Sequence, residues 1–272
     1  STITLSGTSG TLFTKHASGT FTAGTSTVVL SGNGDVTVNS GTVSFANLTS
    51  SGTGTKTLGG AVTVGTNFVL SAGTFAPSTL SFTIVDLVLP TGTTLALSSG
   101  SLTVTGTSSI TGTLTDSSST GTNLFTGAVT LNNGSNWSSS GNSAFEFRGG
   151  LTVNSTSTFS SGSGQYTFST NAQTIAGTQA YTITDLKNSI TTGNGLTFTT
   201  NNPTVTTLTQ NSSILTFSGT VPTITTLTAN TGINTVQYTS GSSQTIKGTT
   251  YYYLTLSGVG TKTLGGATVT NG

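Results

Sequence analysis

Short alternations of apolar and polar residues run along nearly the whole chain. Segments such as LTVTG at 102–106, GTLT at 112–115 and LTFTT at 196–200 place Leu, Val or Phe at every second position, with Thr between them. A period of two is the pattern of a β-strand with one buried face and one exposed face. Thr is β-branched and favours strands, while Gly, Ser and Asn separate the segments at turn positions. The pattern predicts an all-β chain of many short strands.

The strands recur in copies of about 20 residues. Residues 196–213 (LTFTTNNPTVTTLTQNSS) and 215–232 (LTFSGTVPTITTLTANTG) match at an offset of 19 residues. A shorter signature, in which Leu follows an apolar or aromatic residue three positions later, occurs at Phe45–Leu48, Ile84–Leu87, Ile183–Leu186, Val205–Leu208, Ile224–Leu227 and Tyr251–Leu254. Such a repeat is too short for a propeller blade and fits one coil of a β-solenoid.

We therefore predict one parallel β-helix, or β-solenoid, spanning residues 1–272 as a single domain. Its length corresponds to about 12–14 coils of about 19–23 residues each. The coil should be right-handed, as nearly all parallel crossover connections are.

Longer blocks of sequence also repeat. FANLTSSGTGTKTLGGAVTV at 45–64 matches YYYLTLSGVGTKTLGGATVT at 251–270, and QTIAGTQAYTI at 173–183 matches QTIKGTTYYYL at 244–254. Lys56 and Lys262 occupy the same position of the first block. We expect them to be edge or turn lysines that discourage lateral sheet pairing.

These blocks carry a resemblance to a known class of proteins. The motifs Gln-Thr-Ile-x-Gly-Thr, Tyr-x-x-Leu-Thr, GTKTLGG and VTV resemble the repeat region of large secreted bacterial β-solenoid surface proteins, of the adhesin or filamentous surface-fibre type. The resemblance covers 45–70, 151–200 and 244–272. It implies a secreted protein with a passive structural or adhesive role at the cell surface and no catalytic residues.

Composition narrows the functions further. Charged residues are 4% of the chain, against a globular norm of roughly 25%, and the net charge is +1. A charge repeated in every coil would meet its copy at about 5 Å, at a cost on the order of 1 kcal/mol per pair even near water. The weak charge argues against nucleic-acid partners, and the absence of Cys excludes disulfides and thiol chemistry. No run approaches the roughly 18 apolar residues of a membrane span.

Residues suited to catalysis are too few and too scattered. His16 is the one histidine, and Asp35, its nearest carboxylate in sequence, is about one coil away. The acids Asp35, Asp86, Asp116, Glu146 and Asp185 are never adjacent in sequence. Glycoside hydrolysis needs two carboxyl groups about 5–10 Å apart, and calcium needs clustered oxygen ligands. We predict no enzyme, no cofactor and no metal site.

Four aromatic residues are candidates for surface contacts. Trp137 lies in the polar segment GSNWSSSGN, where it would either stack on a sugar or anchor a turn. Tyr251, Tyr252 and Tyr253 alternate faces in a strand, so one or two of them should point outward, toward a glycan or another subunit.

The two ends of the sequence match each other. The segment ATVTNG followed by STITLSGTSGTLF reproduces the pattern of 61–75, and neither end shows a polar cap. We expect the N-terminal strand of one copy to complete the C-terminal coil of the next, in a head-to-tail filament. The predicted interface residues are Ile3, Leu5, Leu12, Phe13, Leu264 and Val269. The alternatives are an adhesin stalk or carbohydrate-binding module cut from a longer array and, less well supported, an ice-binding Thr surface.

Overall fold

The computed structural model describes residues 1–16, 18–39, 42–191, 195–199, 203–211, 213–231 and 233–270. In these residues the protein is all β, and its parallel strands stack as a β-solenoid of about 12 turns. The predicted fold class is confirmed. The right-handed sense of the coil stays a prediction.

The strands are short and follow one another closely along the chain. The first eleven are β1 (Thr2–Leu5), β2 (Gly10–Thr14), β3 (Thr27–Leu30), β4 (Val36–Asn39), β5 (Val43–Ser50), β6 (Thr55–Leu58), β7 (Val62–Leu70), β8 (Gly73–Ser78), β9 (Phe82–Ile84), β10 (Leu87–Leu89) and β11 (Thr93–Leu97). The next eleven are β12 (Leu102–Val104), β13 (Ser108–Ile110), β14 (Thr113–Asp116), β15 (Thr122–Phe125), β16 (Val129–Leu131), β17 (Asn136–Ser139), β18 (Ala144–Phe147), β19 (Leu151–Val153), β20 (Thr158–Ser160), β21 (Gln165–Thr170) and β22 (Gln173–Gly177). The last eleven are β23 (Thr182–Ile190), β24 (Leu196–Phe198), β25 (Thr204–Gln210), β26 (Ile214–Phe217), β27 (Thr223–Thr228), β28 (Thr235–Tyr238), β29 (Gln244–Ile246), β30 (Thr250–Tyr251), β31 (Tyr253–Leu256), β32 (Lys262–Leu264) and β33 (Thr268–Val269).

Each coil has three sides, and each side stacks in parallel on the same side of the next coil. The first face begins with β1, β3 and the second half of β5, and it ends with β28 and β31. The second face begins with β2, β4 and β6, and it ends with β29 and β32. The third face begins with the first halves of β5 and β7, and it ends with β30 and β33. Long strands such as β5, β7 and β23 turn a corner and belong to two faces.

Register is kept along the faces although coil length varies. Thr2 pairs with Thr27, a coil of 25 residues, whereas Thr250 pairs with Thr268, a coil of 18 residues. Most of the difference is taken up in the turns, because a one-residue slip along a whole strand would move its apolar side chains to the outer surface. Local one-residue shifts occur inside the β2–β4 and β8–β11 pairs.

The core is one continuous apolar column inside the three faces. Strands show the alternating burial expected from the sequence, as in β12, where Leu102 and Val104 are buried and Thr103 is only partly so. Aromatic rings of successive sides pack against each other, with ring centroids 5.0 Å apart between Phe68 and both Phe75 and Phe82. Such edge-to-face and tilted contacts add to the burial of apolar area.

Buried polar side chains lie at the corners, where strand hydrogen bonding is interrupted. Gln173 donates through Nε2 to the carbonyls of Phe147 (2.9 Å) and Ser169 (2.6 Å), and it accepts from the Gly150 N–H (3.0 Å). Gln244 makes the same kind of bonds at a different corner, to the carbonyls of Phe217 and Gly219. These amides add hydrogen bonds to backbone groups that are buried at the corners.

Candidate functional site: the two end coils

The C-terminal end coil presents three open strand edges. Within the described chain, β31, β32 and β33 each pair only with the preceding coil, through β28, β29 and β30. The inward side chains of this coil are uncovered: Leu264 is 63% exposed, whereas Leu58, at the same position of the repeated block, is 2% exposed. Val269 is also exposed, so both residues predicted for this end lie on it.

The N-terminal end coil presents two open edges. In the described chain β1 pairs only with β3, and β2 pairs only with β4. Ile3 is 46% exposed, while Val28, the next residue of its ladder, is 2% exposed. Leu5, Leu12 and Phe13 are partly buried against the core. All four residues predicted for this end therefore lie on the first coil.

The third side of the first coil is a loop rather than a strand. The segment between β2 and β3 contributes Phe21, whose ring packs on Phe13 (5.3 Å between centroids) and Phe45 (5.5 Å). Lys15 closes the start of this loop by donating from Nζ to the carbonyls of His16 (3.3 Å) and Gly19 (3.0 Å). Phe21 therefore takes the place of a strand on the third side and covers Phe45 of the next coil, and the expectation that this end lacks a polar cap stays a prediction.

Sequence reasoning missed Leu256, which is exposed at the C-terminal end, and Val259, which is 98% exposed beside it. A comparison of the two copies of the repeated block could have identified Leu256. Leu256 corresponds to Ser50, which is fully buried, so an uncovered copy of that position marks an end of the stack.

The two lysines of the repeated block point inward, not outward as we expected. Lys56 has no exposed surface, and its Nζ donates to the carbonyls of Gly54 (3.1 Å) and Gly34 (3.4 Å). Lys262 makes the matching bonds to Gly260 (3.1 Å) and Ser240 (2.8 Å). Burial lowers the pKa of the Lys56 ammonium, and the charge of Asp35 opposes that shift. The aliphatic stems of the two lysines lie along the corner and carry each ammonium to two backbone carbonyls.

Trp137 and Tyr251 are also placed differently from the surface role we considered. Both side chains are fully buried. The Trp137 Nε1–H donates to the hydroxyl of Tyr166 (3.0 Å), and the Tyr251 hydroxyl donates to the carbonyl of Lys247 (2.6 Å). Each ring fills the column and pairs its polar atom inside it, so neither residue can reach a ligand in the folded protein.

Tyr252 and Tyr253 remain at the surface near the C-terminal end. Their rings meet edge to face with centroids 4.8 Å apart, and Tyr253 is 41% exposed. They are the two members of the predicted aromatic set that a partner can touch.

The charged groups form no reactive cluster in the described part of the chain. Asp116 is buried, and it accepts hydrogen bonds from the Ser118 N–H (2.8 Å), Asn123 (2.7 Å) and Ser143 (3.0 Å). Glu146 pairs with Arg148 (2.8 Å) at the surface. Burial opposes ionisation of Glu146, but the hydrogen bonds from Arg148 and Ser169 outweigh it and lower the Glu146 pKa. Among the described residues no group of three or more His, Cys, Asp or Glu side chains is arranged to hold a metal ion.

Comparisons with known proteins give no relative: no family model, no curated protein and no solved structure matches the chain. The described residues include no helix long and apolar enough to cross a membrane. A function for the two end coils must therefore be inferred from their geometry.

Proposed function

We propose that the protein is an extracellular structural subunit that stacks head to tail into a filament. The C-terminal coil of one copy would be covered by the N-terminal coil of the next. The observation that carries the proposal is the pair of uncovered coils, whose inward apolar residues are exposed at one end and only partly covered at the other.

The order of the faces supports this stacking. The described chain starts on the first face with β1 and reaches the third face at its far end with β33. A following copy would begin on the first face again. Its β1 would lie over β31 and its β2 over β32, so the order of the faces continues without interruption.

The side chains at the two edges are also of matching type. TLSG occurs at 4–7 in the first coil and at 255–258 in the last. In this register Ile3 of the next copy would cover Leu254, and Leu5 would cover Leu256. Leu48, which holds the position of Leu254 in the repeated block, is covered by Phe68 in the same way within the chain. Each covered pair removes apolar area from water at about 25 cal/mol per Å².

The backbone edges favour association as well. An open parallel edge offers a row of unpaired N–H and C=O groups, which templates further pairing. A head-to-tail contact that does not close on itself generates a fibre.

A second candidate is a module of a longer array. The match between 45–64 and 251–270, with 12 identical residues of 20, favours it, because further coils of the same polypeptide would cover the same edges. The exposed Tyr252 and Tyr253 pair then gives such a stalk an aromatic surface for glycans.

Electron microscopy and light scattering of the purified chain test the proposal. We expect filaments from the wild type and monomers from Leu264→Glu, because a carboxylate at this end would be buried without a partner in the stack. Val88→Glu is the matched control, since Val88 is 51% exposed on the outer surface of β10 and should leave filaments intact. Persistent wild-type monomers would reject the filament in favour of the array.

A further inference from the structure

A column of glycines follows the first face in the first three coils, where the chain turns toward the second face, and Ala72 takes this position in the next coil. Gly7, Gly32, Gly52 and Gly258 each come two residues after the last inward position of a first-face strand, in the sequences LSG, LSG, SSG and LSG. Successive turns lie in contact along this column, because coils of a parallel solenoid are about 4.8 Å apart.

At Gly32, Gly52 and Gly258 the preceding coil leaves no room for a side chain. A Cβ on Gly32 would lie 1.8 Å from the carbonyl oxygen of Gly7, and a Cβ on Gly52 would lie 1.7 Å from that of Gly32. A Cβ on Gly258 would lie 2.4 Å from the Ser240 oxygen. In each case the missing side chain points back toward the N-terminal end of the solenoid.

Gly7 has no such requirement in the described chain. A Cβ there would approach only the side chain of Leu12, at 2.4 Å from Cδ2, with backbone no nearer than the Ser9 oxygen at 3.9 Å. Its φ is not in the left-handed region, so the backbone conformation does not demand glycine either. Leu12 is partly buried at the end of the solenoid, and its flexible tip can move aside.

We propose that Gly7 is a specificity-determining residue of the head-to-tail contact, a step that rests on the proposed filament. With Leu5 placed over Leu256 of the preceding copy, Gly7 lies over Gly258, two residues further on in both. It then meets a turn of the same sequence, Leu-Ser-Gly, in which Gly258 has a left-handed φ of 81°. A side chain at position 7 would hold the two turns apart and keep the strand edges from pairing.

The first turn from the first face to the second face differs in length from the next one. Leu5 pairs with Leu30 and Gly10 pairs with Val36, so the first turn is one residue shorter than the second. The remaining residues of the first turn therefore have no one-to-one equivalents in the column.

Assembly of Gly7→Ala is the first test. We expect its critical concentration for filament formation, measured by sedimentation, to rise by about tenfold, the change that a modest steric penalty produces. Gly65→Ala is the matched control, because a Cβ there has only the Phe45 oxygen at 3.8 Å and the Gly65 φ is ordinary. It should assemble like the wild type.

Folding is separated from assembly in the monomeric Leu264→Glu background. There Gly7→Ala should leave the melting temperature unchanged, whereas Gly52→Ala should lower it. A fall in melting temperature with Gly7→Ala as large as that with Gly52→Ala would place the role of Gly7 inside the chain and overturn the inference.

Mixing tests which end is affected. Gly7→Ala keeps an intact C-terminal coil, so small amounts added to wild type should shorten filaments, whereas the double variant Gly7→Ala/Leu264→Glu should not. Equal assembly of Gly7→Ala and wild type would reject the role of Gly7 and leave the filament standing. Absence of wild-type filaments would reject both.

Discussion

At the scale of the residue, the surroundings of a side chain depend on whether a further coil covers it. Leu58 and Leu264 occupy one position of a repeated block, yet the first is buried and the second is largely exposed. Lys56 is fully buried at a place where a lysine would ordinarily be assigned to the surface. Its two carbonyl partners explain the placement, because they accept hydrogen bonds from the ammonium inside the corner.

Gly52→Ala tests the contact between turns at this scale. The added Cβ would meet the Gly32 carbonyl, so the turns must separate, and we expect the free energy of unfolding to fall by about 1–3 kcal/mol. Urea unfolding followed by circular dichroism measures it, in the Leu264→Glu background so that assembly does not interfere. A Gly52→Ala protein as stable as Gly65→Ala would show that the turns are not in contact.

At the scale of the element, one sequence motif serves different corners of the coil. IVDL at 84–87 turns from the third face to the first, since Ile84 ends β9 and Leu87 begins β10. The near copy ITDL at 183–186 turns from the second face to the third, inside β23. The Gln-Thr-Ile motif behaves likewise, on the first face in β22 and on the second in β29. The spacing of these copies was therefore irregular because the motifs mark a kind of corner and not one place in the coil.

Gln173→Leu tests the corner amides. Leu is similar in size but apolar, so the carbonyls of Phe147 and Ser169 would lose their hydrogen bonds from Nε2, and the Gly150 N–H would lose its bond to Oε1. We expect a loss of about 1–3 kcal/mol in the free energy of unfolding, the cost of leaving buried polar groups unpaired. Gln237→Leu is a useful control, because Gln237 lies on the outward side of β28 and is not fully buried. If both variants unfold at the same denaturant concentration, the amide contributes little to the corner.

At the scale of the whole molecule, the solenoid contains few groups that titrate and buries several of them. Tyr166, Tyr181, Tyr238 and Tyr251 are all inside, and burial raises the pKa of each hydroxyl. For Tyr251 the neighbouring Tyr238 raises the pKa further. Since the column runs through every coil, loss of packing at these rings exposes a large part of the core.

Alkaline titration tests this burial. The tyrosines of the unfolded chain ionise at about pH 10, whereas the four buried tyrosines of the folded protein keep their hydroxyl protons at that pH. The contribution of these buried hydroxyls to the free energy of unfolding is therefore fully present below about pH 10. It is lost as the pH rises above that value, because the folded state then binds more protons than the unfolded state. We expect the buried tyrosines to ionise together with unfolding, in tyrosinate absorbance and circular dichroism. Ionisation of all six tyrosines near pH 10 with the fold intact would contradict the placement.

The fold class and the kind of coil could be predicted from the residue pattern alone. Alternation of Leu, Val and Phe with Thr specifies a pleated strand with one buried side, and copies at about 20 residues specify parallel stacking of such strands. Both properties are local or periodic, so they can be read without knowing what lies above or below a residue. The same periodicity located the residues of the two ends.

The three-dimensional arrangement was needed to show which corner each motif occupies, that Trp137, Tyr251 and Lys56 lie inside, and that Phe21 packs on Phe45. These outcomes depend on the coil lengths, which vary with the turns, and on the neighbouring coil that covers each side chain. Burial in a stack is a property of the adjacent layer. A side chain's own sequence surroundings therefore do not fix it.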